Sequence, residues 1–107
     1  MFLKLTAAGE LQLADRQNFR AFKLFVEGDR SGLDRARRAL TGKAELPDAD
    51  AAWIFTDTLR HWPDVAHDTA WQQGLSTMIE KARPHGWIDD NRSAIKAHVE
   101  WVVTGSS

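Results

Sequence analysis

The chain has 107 residues and a mass of 12.1 kDa, which is the size of one domain, since domains commonly hold about 100–150 residues. Its 43% hydrophobic and 27% charged residues are typical of a globular protein and exclude a disordered or collagen-like chain. The absence of cysteine excludes disulfides, zinc–thiolate sites and cysteine nucleophiles. A net charge of −1 provides no overall field that would attract nucleic acid or an anionic membrane.

The first 13 residues alternate between apolar and polar positions. Leu3 and Leu5 share one face of a strand, and Leu11 and Leu13 repeat the same spacing after a turn that contains Gly9. This pattern predicts a short β-hairpin. An irregular arm that leads into a helix near residue 10 is the alternative interpretation.

Two helices are predicted next. The first runs from Asp15 to Gly28, because apolar residues recur there at helical spacing: Phe19, Phe22 and Phe25/Val26. The second runs from a capping Ser31 to Gly42 and carries a thin apolar stripe: Leu33, Ala36 and Leu40.

Three further helices are predicted in the second half of the chain. One starts after Pro47 and ends at Pro63, on a stripe of Ala51, Phe55, Leu59 and Trp62. The next is capped by Asp68 and carries Trp71, Leu75, Met78 and Ala82. Gly74 interrupts it, which a close helix crossing or a kink would explain. After a turn at residues 84–86, a last helix is predicted from Asp89 or Asp90 on Ile95, Val99 and Val102.

These elements together predict a mainly α fold. Residues 1–107 form a single domain, a compact bundle of about five short helices. Residues 1–13 are a hairpin or an arm, and residues 104–107 are a flexible polar tail.

Local catalytic signatures are absent from the sequence. It has no glycine-rich phosphate loop, no G-x-S-x-G elbow and no H-E-x-x-H pair. No cofactor and no metal site are therefore assigned, and a non-catalytic role is favoured, although a site built from scattered residues stays open.

One candidate ligand site is the set Trp53, Asp57, His61 and His67. On a helix, Asp57 and His61 are four residues apart and stack on one face, one turn after Trp53. His67 could fold back towards them from beyond the Pro63 turn. A carboxylate that orients an imidazole suits proton transfer or metal binding. The alternative is an ordinary ion pair on a solvated helix.

Five tryptophans in 107 residues are a high number. Trp87 and Trp101 do not fit the predicted core stripes, so they are candidates for an interface with a partner chain. Tryptophan that simply fills volume is the alternative. The loop from Arg83 to Trp87 could recognise a ligand or partner, whereas His98 on the last predicted helix could face the interior.

Basic residues cluster in the first half of the chain, which holds nine basic and six acidic residues up to position 46. The basic set is Arg16, Arg20, Lys23, Arg30, Arg35, Arg37 and Arg38. Interleaved acids and the lack of exposed aromatic residues among them favour a solvated face and disfavour nucleic acid as a partner.

Two functions of different classes follow from these observations. The first is a non-catalytic protein-interaction or homo-oligomerising module, whose partner is a second copy or another protein. The second is a small-molecule or metal-binding domain, conceivably an enzyme, that uses the face of Trp53, Asp57 and His61. A cytoplasmic location without membrane attachment is expected, because the sequence lacks a signal-peptide pattern and a long apolar run.

Overall fold

The computed structural model describes residues 1–103, so the predicted tail at 104–107 lies outside the described residues. Within residues 1–103 the chain forms three α-helices, α1 (Leu33–Ala39), α2 (Thr56–Arg60) and α3 (Thr69–Ala82). The same residues form seven strands, β1 (Phe2–Leu5), β2 (Leu11–Ala14), β3 (Lys23–Glu27), β4 (Ala44–Glu45), β5 (Ala51–Phe55), β6 (Ile88–Asp89) and β7 (Ala94–Val102). Short 3-10 turns precede α1 (Arg30–Gly32) and follow α3 (Arg83–His85).

The strands form one mixed sheet that curls into a half-barrel. Their order across the sheet is β2-β1-β3-β7-β5-β4, and β6 also pairs with β7. Strands β1, β3 and β7 are parallel to one another, and the other pairings are antiparallel. The prediction of a mainly α bundle of about five helices is therefore wrong.

Strand β7 lies at the centre of the sheet and is paired along both of its edges. Strand β5 pairs with residues 94–98 on one edge. The other edge is shared, since β6 pairs with residues 94–95 and β3 pairs with residues 98–102. Strands β3 and β6 therefore follow each other along one edge of β7, and a junction lies between them.

The last predicted helix is in fact strand β7. Its side chains alternate over residues 95–99, with Ile95, Ala97 and Val99 buried and Lys96 and His98 exposed. This is the two-residue period of a strand with one face covered. Ile95, Val99 and Val102 also fit a helical spacing. The buried position between Ile95 and Val99 is the small Ala97, so the alternation of apolar and polar residues is not evident in the sequence. The prediction that His98 could face the interior is wrong too.

The first predicted helix is replaced by a loop and strand β3. Leu24 and Val26 point into the core, whereas Phe25 lies on the outer face of the sheet. There its ring meets Phe2 edge-on, with ring centroids 4.9 Å apart. The phenylalanine spacing that indicated a helix therefore joins residues of a loop, Phe19 and Phe22, to a residue of a strand, Phe25.

The third predicted helix is correct only in its second half. Residues 51–55 form strand β5, in which Ala52 and Ile54 are buried. Helix α2 begins directly after it, and its Leu59 is fully buried beneath the sheet. Trp53 consequently lies on a strand and does not stack one helical turn before Asp57.

Two helices and the hairpin match the sequence interpretation. In α3 the carboxylate of Asp68 accepts the main-chain amide of Trp71 at 3.0 Å, as a helix cap does. Helix α1 buries Ala36, and the segment ends at Gly42 with a φ of +80°. At the N-terminus β1 pairs antiparallel with β2 across the turn that contains Gly9.

The interior lies between the concave face of the sheet and the helices. Its largest fully buried side chains come from strands, helices and loops: Trp71, Leu3, Leu24, Leu40, Ile54, Leu59, Val65 and Leu75. Within residues 1–103 no polar or charged residue is buried, so this core is held by apolar contact. None of the helices in that part of the chain has the length and apolar character needed to cross a membrane.

Candidate functional site: a cleft beside strand β7

A large cleft opens at the junction of β3 and β6 along β7. Its volume is about 1070 Å³. We call it the β7 cleft and define its floor by the apolar residues Phe19, Phe22, Gly74, Met78, Ala82 and Ile95. The cleft thus runs from the edge of the sheet to one face of α3.

The first wall of the cleft is the segment 15–22, which joins β2 to β3. Its main chain is anchored from two directions. The indole Nε1 of Trp71 donates a hydrogen bond to the carbonyl oxygen of Arg16 at 2.8 Å. The amino group of Met1 donates to the carbonyl oxygens of Asn18 and Ala21, at 2.5 and 3.1 Å. These bonds hold the wall in place although it belongs to no helix or strand.

The floor of the cleft depends on the glycine in the middle of α3. A Cβ atom on Gly74 would lie 2.5 Å from Cε2 of Phe19, which is too close for any real contact. The Phe19 ring also leans on Trp71, with centroids 5.8 Å apart. The predicted helix crossing at Gly74 is wrong, because the group that approaches this glycine is the Phe19 ring from a loop.

An aromatic pair stands at the rim on the opposite side. The rings of His85 and Trp87 stack with centroids 4.6 Å apart and an angle of 22° between them. Gly86 between them has a φ of +76°, which favours glycine. The carbonyl oxygen of Trp87 accepts the main-chain amide of Lys96 at 2.8 Å. This main-chain bond holds the rim against β7. Trp87 itself is 48% exposed.

Three cations surround the opening of the cleft, and each comes from a different element. Arg20 lies on the first wall, Lys81 on α3 and Lys96 on β7, and all three are exposed. Among residues 1–103, none of the three forms an ion pair with a carboxylate. The rim therefore carries positive charge that the protein leaves uncompensated by direct contact.

Two carboxylates line the same cleft and are already engaged. The carboxylate of Asp50 forms an ion pair with Arg30. The carboxylate of Asp48 accepts the main-chain amides of Asp50 and Ala51, at 2.8 and 3.0 Å. These two hydrogen bonds lower the pKa of Asp48 below its ordinary value, and Lys96 and Arg30 lower it further. Main-chain amides thus hold the Asp48 carboxylate, and Arg30 holds that of Asp50.

The ligand site predicted from the sequence lies elsewhere on the molecule. Asp57 is exposed on α2, His61 ends that helix, and His67 is exposed in the loop before α3. The bond that joins Asp57 to His61 within residues 1–103 is a main-chain one, from the amide of His61 to the carbonyl oxygen of Asp57. Trp53 lies on β5, with the guanidinium carbon of Arg92 5.3 Å from its ring centroid. None of the four residues lines the β7 cleft.

The two predicted interface tryptophans have different surroundings. Trp87 is the exposed residue of the cleft rim, as described above. Trp101 is partly buried on β7, and its indole Nε1 donates to the carbonyl oxygen of Ala49 at 2.8 Å. The predicted recognition loop from Arg83 to Trp87 therefore contributes to the cleft, while Trp101 packs against the segment before β5.

The remaining cleft residues were missed by sequence reasoning because four separate stretches of chain supply them. Gly74 was the available signal, since a glycine within a helix indicates that another group approaches closely.

Among residues 1–103 no group of three histidine, aspartate or glutamate side chains could hold a metal ion.

Comparison with known proteins adds no relative to this description. The chain matches no protein-family model, no curated protein and no solved structure.

Proposed function

We propose that this protein binds a small, mainly apolar molecule in the β7 cleft. The observation that carries the proposal is an apolar floor that the chain's own side chains leave open. Ligand pockets commonly measure about 300–1,000 Å³ and combine apolar walls with a few polar groups. The β7 cleft, at about 1070 Å³, has this size and this mixture.

The anchoring of the walls supports a preformed site. Segment 15–22 is held by hydrogen bonds from Trp71 and Met1, and the Trp87 rim is held by Lys96. A ligand would therefore lose little affinity to ordering of the protein. Apolar atoms of the half-buried Phe19 and Phe22 and of the exposed Trp87 would be removed from water when it binds, which favours association.

A neutral fluorescent probe tests the proposal. N-phenyl-1-naphthylamine brightens when it enters an apolar site, and we expect saturable binding with one site per chain. Thr77 is exposed and lines the cleft, so Thr77→Trp should fill the opening and lower affinity by about tenfold or more. Ala70→Trp is the matched control, because Ala70 is exposed on the same helix outside the cleft.

The competing site around His61 is tested with the same probe. His61→Ala should leave probe binding unchanged if the β7 cleft is the site. The proposal is overturned if His61→Ala abolishes binding while Thr77→Trp does not, since the face of Trp53, Asp57 and His61 would then hold the ligand. Absence of saturable binding to the unmodified protein would also overturn it.

Self-association stays a separate prediction and rests on one observation. Strand β2 is the outermost strand on its side of the sheet, and within residues 1–103 its outer edge has no partner strand. Free edges can pair with a second chain. Native mass spectrometry should then show a dimer, and a monomer at every concentration up to about 100 μM would count against this prediction.

A further inference from the structure

We infer that the ligand of the β7 cleft is an amphipathic carboxylate, whose acidic head is held at the opening by Arg20, Lys81 and Lys96. This inference rests on the proposed function and specifies the ligand's chemical class. The apolar part of the ligand would lie on the floor at Phe19, Met78 and Ile95.

The position of the cations is the first argument. They come from a loop, a helix and a strand that are far apart in the chain, and all three line one opening. Seven other basic side chains of residues 1–103 are paired with carboxylates: Lys4, Arg16, Lys23, Arg30, Arg37, Arg83 and Arg92. Arg35, Arg38, Lys43 and Arg60 also form no ion pair within residues 1–103, so Arg20, Lys81 and Lys96 are distinguished by meeting at one opening.

The state of the two acids is the second argument. Arg30 pairs with Asp50, and main-chain amides occupy Asp48. Both carboxylates already accept hydrogen bonds, whereas none of the three cations lies within ion-pair distance of a carboxylate in residues 1–103, although Lys96 is near enough to lower the pKa of Asp48. Complementary charge therefore favours an acidic head over a basic one.

The combination of surfaces is the third argument. The floor is apolar, and the cations stand at the opening, where Lys and Arg can keep their charged ends in water. A ligand that satisfies both parts has an apolar body and one terminal acid group. A wholly apolar ligand would leave the cations unused, and a small inorganic anion would leave the floor exposed to water.

The test compares three ligands of equal chain length and different head charge. Dodecanoate, dodecan-1-ol and dodecyltrimethylammonium, each below its micelle concentration, compete with N-phenyl-1-naphthylamine for the full-length protein. We expect dodecanoate to displace the probe about tenfold better than dodecan-1-ol at low salt, since several partly exposed ion pairs act together. Dodecyltrimethylammonium should be the weakest, and added salt should shrink the preference for dodecanoate.

Variants assign the preference to particular residues. Lys81→Gln and Lys96→Gln, together, should remove the preference, so that dodecanoate and dodecan-1-ol displace the probe equally well. Lys43→Gln is the matched control, because Lys43 is exposed, forms no ion pair within residues 1–103 and lies outside the cleft. It should change neither affinity.

The outcomes separate this inference from the proposed function. Equal displacement by dodecanoate and dodecan-1-ol, or an unchanged preference in the double variant, overturns the acidic head and keeps the cleft as a site for apolar ligands. Stronger displacement by dodecyltrimethylammonium also overturns it, and would assign the head group to Asp48. Failure of the probe itself to bind overturns the proposed function.

Discussion

The inner core buries its apolar side chains, whereas the β7 cleft leaves part of its apolar surface open to water, and two tryptophans show this difference. Trp71 is 2% exposed, its indole nitrogen is hydrogen-bonded and its ring packs among core side chains. Trp87 is 48% exposed and touches the solvent-facing rim of the cleft. Trp71 belongs to α3 and Trp87 follows the 3-10 turn at the end of that helix, so the same part of the chain borders a filled space and an open one.

The difference shows which part of the sheet's apolar surface is covered by other side chains and which part is left open. On the concave side, strands and helices bring enough apolar side chains to exclude water. Beside β7, β6 pairs with residues 94–95 and β3 with residues 98–102 of one edge, and the side chains near this junction leave a cleft. Apolar surface that a fold leaves open in this way is the usual material of a binding site.

Replacing each of the two tryptophans separately by alanine should give the largest difference in the free energy of unfolding. Trp71→Ala deletes a buried ring and the donor to the Arg16 carbonyl oxygen, so the free energy of unfolding should fall by about 3–5 kcal/mol. Trp87→Ala removes an exposed ring and should change it by less than about 0.5 kcal/mol. Urea denaturation followed by circular dichroism measures both.

Trp71→Phe separates the two parts of the Trp71 effect. It keeps an aromatic ring and loses the hydrogen bond, so its loss should be clearly smaller than that of Trp71→Ala. Equal losses in Trp71→Ala and Trp87→Ala would show that the core and the rim are not distinct.

The sequence predicts a helix or strand well when the residues that stabilise it lie within the element itself. Helix α3 carries its own cap at Asp68 and a long apolar stripe, so it was predicted correctly with its ends. Strand β3 has five residues, and its partners lie about 20 residues before it and 75 residues after it. Such pairing leaves no local trace, and the nearby phenylalanines fit a helical period instead.

The cleft was harder to predict than the core for the same reason. A pair such as Asp57 and His61 is visible because both residues belong to one short stretch, yet among residues 1–103 no third histidine, aspartate or glutamate completes a metal site with them. Arg20, Lys81 and Lys96 meet through the sheet topology, which spacing cannot show. Gly74 was the one local residue that pointed to the cleft floor, through the close approach it permits.

Gly74→Ala should affect both the core and the cleft, and its effect on the free energy of unfolding should be intermediate in size. Alanine favours the helix by up to about 1 kcal/mol, but the added Cβ must displace the Phe19 ring, and overpacking typically costs about 1–3 kcal/mol. We expect a net loss of about 1 kcal/mol in the free energy of unfolding, together with weaker probe binding, because Phe19 forms part of the floor.

A double-mutant cycle with Phe19→Ala identifies the source of that loss. If the clash with the ring is the cause, Gly74→Ala should become neutral or stabilising once the ring is absent. An identical loss in both backgrounds would mean that Phe19 does not limit this position.

The smallest expected effect concerns the acidic side of the cleft and depends on pH. Hydrogen bonds from the amides of Asp50 and Ala51 lower the pKa of Asp48 in the folded protein. Above the ordinary aspartate pKa the charged carboxylate therefore stabilises the folded state, and this contribution disappears as the pH falls through the lowered pKa, between about pH 5 and pH 2. Asp48→Asn cannot titrate, so the free energy of unfolding should depend less steeply on pH in that range.

Asp57→Asn is the control for this measurement, because it removes an exposed carboxylate that accepts no main-chain amide within residues 1–103. Urea denaturation at several pH values should give Asp57→Asn the slope of the unmodified protein. If Asp48→Asn also keeps that slope, the two amide hydrogen bonds do not stabilise the turn before β5. The acidic side of the cleft would then be free to meet a ligand, which would weaken the argument that the cations alone select its charge.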